Sequence, residues 1–496
     1  MPPVNVSKYQ PVFYPESIAV IGASDSPRKF GGNFLRTNLE YGYKGRVYPV
    51  NPKGGTIQGM KAYATVSDIP DPVDFAAITV PAPLVLDAVK DCVRKGVKGA
   101  EILSAGFRES GEQGEALERE VARVARVGGL RLVGPNCFGV HTPAAGLTLL
   151  PGIDFSTTPG PVGFFSQSGG GTCEVVYMAR GRNLYFSVVV SYGNSCDIDA
   201  AEMLRYFEAD PKTRLVGAYI EGVEDGRAFF DALSSCAAKK PVVVMKGGLS
   251  EQGFRGTIGH TGSMAGTRRA WTAAIKSAGA VPAAHVLDLV ECLMAFNCLP
   301  EFAGGGAGIM GGGGAAVVAG LDSAGANNFP VPTIDDKTAA RIQAFLPPAG
   351  GRAGNPVDLA NPGNLPTVIN PIMEILAEQP DVDFLVIFEM LFFMLNQTRR
   401  LKIETGQEVD TLQLHQQIVD KAREVREKTG KSLTAVLIDI ASDPAHWPME
   451  LGRVQARYLY TANGVPCFDD GYQTFSVLRR VADYYRKRQT ARAAQD

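Results

Sequence analysis

The sequence predicts an α/β protein of three doubly wound domains, each a parallel sheet with helices on its faces. Apolar runs closed by glycine alternate with helical patterns from one end of the chain to the other, the order that builds parallel strands joined by crossover helices. The length of 496 residues suits about three domains. Glycine is abundant, at 56 residues, as many tight strand-to-helix turns require.

In a first domain placed at residues 1–145, SIAVIG (Ser17–Gly22) reads as a buried strand before a glycine-rich turn and a helix. RVYPV (Arg46–Val50), DFAAITV (Asp74–Val80), GAEILSA (Gly99–Ala105) and RLVGP (Arg131–Pro135) continue the series, with KDCVRKG and EALEREVARVARV as helical stretches. PGPVGFFSQSGG (Pro159–Gly170) restarts the pattern in a second domain, placed at 146–298. VGFFSQ reads as a strand and GTCEVVYMARG as a helix; FSVVVS, LVGAYIEG and PVVVMKGG are further strands, and TRRAWTAAIKSAG is a helix. LPEFAGGGAGIMGGGGAAV (Leu299–Val317) breaks the composition. It reads as a strand, a glycine turn and a helix rather than a flexible linker, because the helical pattern begins directly on the glycines. A third domain at 299–496 follows, with FLVIF and LTAVLID as strands and LHQQIVDKAREVREKTG as a long amphipathic helix. The basic tail RKRQTARAAQD is expected to fray.

Charge and cysteine content exclude several classes. With 49 basic and 51 acidic residues, the chain has no basic footprint for a nucleic-acid partner. Its 8 cysteines form no CxxC pair, so neither a zinc site nor a disulfide framework is signalled, and a reduced, cytoplasmic setting is expected. The first residues carry no apolar core of signal-peptide length. The most apolar run, Phe384 to Leu395, contains Glu389 and is too short to cross a membrane.

Four stretches are candidates for chemistry. GASDSPRKFGG (Gly22–Gly32) lies between a strand and a helix, where exposed amides can hold a phosphate. Arg28 and Lys29 add charge there, and NPKGG (Asn51–Gly55) adds Lys53 at the end of the next strand. The dinucleotide fingerprint GxGxxG is absent, and ordinary turn chemistry explains the stretch equally well. SQSGGG (Ser166–Gly171) places Ser168, Gly169 and Gly170 where they form either an anion cradle or a plain helix cap. GGGGAA (Gly311–Ala316), with Gly312 and Gly313 at its centre, carries the same two readings.

The fourth stretch is GFRGTIGHTGSMAG (Gly253–Gly266). It holds His260, one of 5 histidines. No Cys, Asp or Glu stands at metal-ligand spacing, so no metal is expected. Small neighbours leave the imidazole accessible, and a neutral imidazole is a good nucleophile near neutral pH. A phosphoryl-accepting histidine needs a carboxylate to orient it and donors to hold the phosphate. Glu221, closing LVGAYIEG, is the candidate carboxylate, and the glycine turns are the candidate donors. His141, His285, His415 and His446 read as incidental, with His415 on a polar helix face.

These residues resemble the nucleoside-diphosphate-forming acyl-CoA synthetases, which include succinyl-CoA synthetase. The resemblance rests on IAVIGAS (Ile18–Ser24), YPVNPKGG, ILSAGFRESGEQG (Ile102–Gly114), GPNCFG (Gly134–Gly139), SQSGG, SYGN (Ser191–Asn194), YIEGV, KGGLSEQG, GHTGSMAG and NPVDL (Asn355–Leu359), in the family's order. The alpha subunit of the ADP-forming acetyl-CoA type is the closer likeness. The resemblance implies a Rossmann-like CoA-binding domain followed by two flavodoxin-like, succinyl-CoA synthetase-like domains. It implies that Gly22, Ala23, Ser24 and Lys53, with Ser104, Ala105 and Gly106, hold coenzyme A. It makes His260 the phosphohistidine and Glu221 its orienting carboxylate. Ser168, Gly169 and Gly170 become one phosphate cradle, and Gly312 and Gly313 the other. The implied reaction is reversible: acid, CoA and ATP give acyl-CoA, ADP and phosphate through an acyl phosphate and phosphohistidine.

The sequence departs from that pattern in one respect that matters. Three domains use the whole chain, leaving no room for the ATP-grasp domain that binds nucleotide in this family. A separate ATP-grasp beta subunit, carrying ATP or ADP and Mg2+, is therefore expected, in a hetero-oligomer. GIMGGGG and the bulky LFFMLNQTRRLKIETGQEVD segment depart from relatives on the acid side, which leaves room for a carboxylic acid larger than acetate. Two other readings compete. A catalytically inactive CoA-binding scaffold would need neither His260 nor Glu221, and a nicotinamide-dependent oxidoreductase lacks its fingerprint.

Overall fold

The computed structural model describes residues 6–150, 155–249, 252, 268–360, 365–439 and 443–493. Strands β1 (Ser17–Ile21), β2 (Arg46–Val50), β3 (Phe75–Ile78), β4 (Gly99–Ile102) and β5 (Arg131–Val133) form an all-parallel sheet in the order β2-β1-β3-β4-β5. A second sheet uses β6 (Gly139–Thr142), β7 (Leu147–Thr148), β8 (Val162–Ser166), β9 (Phe186–Ser191), β10 (Leu215–Ile220), β11 (Val242–Lys246) and β12 (Val281–Ala283). Its order is β12-β11-β10-β8-β9-β6-β7, with β6 and β7 antiparallel to their neighbours. The third, all parallel, places β13 (Ala307–Gly311), β14 (Val357–Asp358), β15 (Phe384–Glu389), β16 (Leu433–Leu437) and β17 (Cys467–Phe468) in the order β14-β13-β15-β16-β17.

One topology repeats three times. In each sheet the first strand of the parallel run, β1, β8 or β13, has its successors on opposite sides. That is a topological switch point, where loops at the carboxyl ends diverge and leave a crevice for a ligand. The helix after each such strand begins beside that crevice: α1 (Phe30–Tyr41), α2 (Gly169–Arg180) and α3 (Gly314–Ala326). Every residue of β1, β8, β9, β13 and β15 is buried, as strands covered on both faces must be. This explains why they read as continuous apolar runs.

The chain packs as two compact units. One holds the residues up to Arg180 together with Leu184–Leu289; the other holds Gly181–Asn183 and Val290 onward. The first unit contains two sheets, and several contacts join them. β6 and β7 follow β5 in the chain yet pair into the second sheet. The Tyr9 and Phe13 rings pack edge-on and tilted against Tyr206, with ring centres 5.2 and 4.6 Å away, and Arg131 grips Asp197 and Glu202 at 2.8 and 2.7 Å.

The structure adds several short strands and changes two local expectations. β5, β7, β12, β14 and β17 have only two or three residues, too few for a periodic signal, and of these only β5 is marked by an apolar run. The tail read as frayed is helical through Ala493, in a helix that starts at Gly471. His415 is not on an open polar face but 1 % exposed, with Nδ1 3.1 Å from the Glu389 carboxylate and Tyr460 donating to the same carboxylate. Polar neighbours in sequence hide such a site, because the partners come from elements 26 and 45 positions away.

Candidate active site

The first-domain candidates cluster at the carboxyl ends of their strands. Gly22 leaves β1 at φ 93°, and a Cβ there would lie 2.6 Å from Thr79 Oγ1, so glycine is needed. Its N–H and that of Ala23 donate to the Val50 carbonyl. Ser24 accepts the Ser26 N–H at 3.1 Å, and Asn51 Nδ2 donates to the Ala23 carbonyl at 2.9 Å, tying the two turns together. Lys53 is exposed beside them. Gly31, in the first turn of α1, sits so close that a Cβ would fall 2.3 Å from the Gly22 carbonyl. Helix and strand thus approach as a phosphate-binding turn requires. The Ser104–Gly106 loop leaves β4 of the same sheet, with Ala105 exposed and Gly106 at φ 108°.

The second-sheet candidates meet at its switch point. β8 ends in Ser166, and β10, its neighbour, runs into Glu221. Ser168 caps α2: its hydroxyl accepts the Gly171 N–H at 3.1 Å, and its carbonyl accepts the Thr172 N–H at 3.0 Å. That leaves the amides of Gly169 and Gly170 without an acceptor among the described residues, at the positive end of the helix dipole. Gln167 Oε1 accepts the N–H groups of Glu221 and Gly222 at 2.5 and 2.9 Å. Ser168, Gly169, Gly170 and Glu221 consequently line one cavity of about 330 Å³, roomy enough for a small substrate.

The charges around this cavity are held by burial and hydrogen bonds. Tyr219 donates to Glu221 Oε1 at 3.2 Å, and burial, with the Glu221 charge, pushes its hydroxyl well up. Lys246 donates to the Glu221 carbonyl at 2.7 Å and to the Gly247 carbonyl, with its ammonium 5.0 Å from the Trp271 ring centre. Burial lowers its pKa, opposed by the Glu221 charge. Burial pushes the Cys137 thiol above its ordinary range, as for a structural cysteine.

The third domain's glycine turn belongs to the other compact unit. Gly313 takes φ 128°, open to glycine alone. The Gly312 N–H donates to the Phe388 carbonyl and the Gly313 N–H to the Gly311 carbonyl. Among the described residues, the amides without an acceptor at that terminus are those of Gly314 and Ala315. A Cβ on Gly314 would be 3.4 Å from the Asp358 carboxylate, and one on Gly313 would be 3.9 Å from the Phe393 ring. His260 lies outside the described residues. Among the described residues no cluster of His, Cys, Asp and Glu could hold a metal ion, and no helix is long and apolar enough to cross a membrane.

The sequence reading assigns no role to Asn136, Phe138, Gln167 or Asn194, yet all four line the cavity of Glu221. Their signal was the motifs GPNCFG, SQSGG and SYGN. Gly193 shows why the motifs meet: a Cβ there would fall 2.2 Å from the carbonyls of Pro135 and Asn136.

Comparison with known proteins identifies the domains that carry these residues. Residues 16–143 match a CoA binding domain, and residues 159–296 match a succinyl-CoA ligase like flavodoxin domain. The chain is 38% identical over 353 residues to the acetate–CoA ligase [ADP-forming] I subunit alpha of Pyrococcus furiosus, covering 70% of this chain and 76% of that one. It is 34% identical over 431 residues to the II subunit alpha of the same organism, covering 84% and 92%. The chain belongs to the ADP-forming acyl-CoA synthetase alpha-subunit family. Its fold accordingly overlays the acetyl-coenzyme A synthetase 1 of Ca. Korarchaeum cryptofilum, solved with phosphate and ADP, at a TM-score of 0.81 and 30% identity, over 98% of this chain and 99% of that one. Family membership makes it an acid–thiol ligase subunit, with the CoA-binding and ligase domains in the expected order.

Proposed function

We propose that the chain carries the acyl-transfer and phosphohistidine half of an ADP-forming acyl-CoA synthetase and completes its cycle with a separate ATP-grasp subunit. The observation that carries this reading is the cavity where the Gly169 and Gly170 amides, without an acceptor among the described residues, stand with Glu221. Domain boundaries near 145 and 298 separate the CoA-binding, phosphohistidine and C-terminal parts of the cycle. Coenzyme A lies along Gly22–Ser24, Lys53 and Ser104–Gly106, with its thioester toward the cavity.

An oxygen of inorganic phosphate attacks the thioester carbonyl, the C–S bond breaks, and the CoA thiolate leaves as an acyl phosphate forms. The helix terminus at Ser168–Gly170 holds the phosphate charge through both states. A nitrogen of His260 then attacks phosphorus; the P–N bond forms, and the P–O bond to the acyl group breaks to release the carboxylate. Glu221 accepts the other imidazole N–H, orienting the ring and stabilising its positive charge. The phosphoryl group passes to ADP on the partner, where a bound Mg2+ would offset the nucleotide charge. In the third domain, the Gly312–Gly313 turn presents Gly314 and Ala315 as a second anion site. Phe393 beside that turn favours an acid with an apolar body.

The test is labelling of the purified chain with radioactive phosphate and a panel of acyl-CoAs, beside His260→Asn. Base-stable, acid-labile label on the unmodified chain only is expected, and the CoA giving the most label identifies the acid. No label from any acyl-CoA, nor from ATP with the partner subunit present, would sink the reading and leave a CoA-binding scaffold.

A further inference from the structure

We propose that Glu109 is a positioning residue that links the CoA loop of the first domain to the cavity of the second. The inference rests on the functional reading above and deepens it.

The link is a chain of hydrogen bonds that converges on Glu109 from the loop and from the cavity. Glu109 Oε1 accepts the N–H groups of Gly106 and Phe107 at 2.6 and 3.1 Å, at the end of the Ser104–Gly106 loop. Its other oxygen accepts Nδ2 of Asn194 at 2.6 Å. A second carboxylate, Glu118, takes the remaining Nδ2 hydrogen at 2.8 Å. The amide of Asn194 is therefore oriented, and its Oδ1 faces Nδ2 of Asn136 at 3.4 Å. Asn194 is 1 % exposed, and both asparagines line the cavity that holds Glu221 and the α2 terminus. Arg108 completes the frame, donating to the Asn194 carbonyl and to Glu224. Burial works to raise the Glu109 carboxyl, but the Asn194 and amide hydrogen bonds outweigh it and hold the group ionised.

An ionised carboxylate accepts on both oxygens, whereas an amide accepts on one and donates on the other. Glu109→Gln would turn an N–H2 toward Asn194 or toward the loop amides. If Asn194 turned to meet it, its own N–H2 would face Nδ2 of Asn136. The mismatch thus reaches the cavity through groups 85 residues apart in the chain. A carboxylate that merely closed its own loop would not need the Asn194 contact.

The experiment uses the chain assembled with its partner subunit. It compares wild type, E109Q, N194A and the double variant for calorimetric CoA affinity, kcat and KM for acyl-CoA formation, and ATP-driven phosphorylation of His260, which needs no CoA. E109Q is expected to weaken CoA binding and to lower kcat, each by about tenfold, and to slow histidine phosphorylation by less than it lowers kcat, because Asn194 lines the cavity of Glu221 at one edge only and meets Glu109 through its amide. The kcat losses of E109Q and N194A are expected to be non-additive, since they act through one contact. Should E109Q fail to fold, E109D serves: one methylene shorter, it cannot span both the loop and Asn194, so CoA affinity or kcat must fall. Additive kcat losses, or wild-type CoA affinity and kcat in the folded variant, would overturn the link alone. A wild-type chain that does not bind CoA overturns the functional reading and the link with it.

Discussion

Gln167 holds Glu221 in place through the backbone, not the side chain: its Oε1 accepts the Glu221 N–H at 2.5 Å and the Gly222 N–H at 2.9 Å. The residue before the helix cap thereby positions the residue after the neighbouring strand, across the switch point. Gln167→Leu leaves two N–H groups without an acceptor, at about 1–3 kcal/mol each. Thermal melts should fall by several degrees, and histidine labelling should weaken with them. Unchanged melting would show that the pair does not hold the strand end.

Glu221→Gln keeps the size and removes the charge. Its side chain is reached by Tyr219 at 3.2 Å, and the residue is only partly buried, so folding should be preserved. Histidine phosphorylation is expected to drop by about 100-fold or more, in the range for loss of an orienting carboxylate or general base. Rapid-quench labelling measures it. A loss under threefold would remove Glu221 from the chemistry.

Two neighbouring glycines should respond in opposite ways. A Cβ on Gly170 meets nothing within 4 Å, whereas one on Gly169 lies 2.8 Å from the Phe138 ring. Gly170→Ala is expected to stabilise the helix by up to about 1 kcal/mol while lowering phosphate-dependent turnover. Gly169→Ala should destabilise by about 1–3 kcal/mol through overpacking. Denaturant melts and label incorporation on both variants separate fold from function.

In the first domain, Gly31→Ala would place a Cβ 2.3 Å from the Gly22 carbonyl and 2.7 Å from Thr79 Oγ1. α1 must then shift from β1. CoA affinity by calorimetry is expected to fall by at least about tenfold. Wild-type affinity would place CoA elsewhere.

Acid stability has two separable limbs. Burial holds His141 at about 3, neutral in the fold, with the Tyr41 and Phe155 rings each 5.6 Å away. The unfolded chain takes up that proton below about pH 6.5. His141 therefore contributes stability that is complete above pH 6.5 and lost toward pH 3, at up to about 1.4 kcal/mol per pH unit. For Glu202, burial works to raise the carboxyl, but Arg131 prevails and holds it at about 2. Its contribution is full above the ordinary carboxylate range near 4.5 and is lost as pH falls toward 2. His141→Gln should flatten melting temperature between pH 6.5 and 4.5, and Glu202→Gln only below that. Parallel curves for wild type and variants would refute both assignments.

Much of the architecture is legible in the residues because its signals are local. Buried parallel strands must be apolar throughout, so SIAVIG, VGFFSQ, FSVVVS and FLVIF announce themselves. Glycines at Gly22, Ser168–Gly170 and Gly311–Gly314 mark turns where a strand enters a helix. The order of motifs points to the family and to coenzyme A, and Glu221 stands out as a carboxylate at a strand end. Tertiary structure alone decided the rest. Asn136, Gln167 and Asn194 join Glu221 in one cavity because strand order brings their loops to a single switch point. β6 and β7 leave the first domain's sheet for the second, and His415 leaves the surface for the Glu389 carboxylate. Periodicity and turn chemistry act over a few residues, whereas strand order follows from packing whole sheet faces, and no short stretch of sequence contains that information.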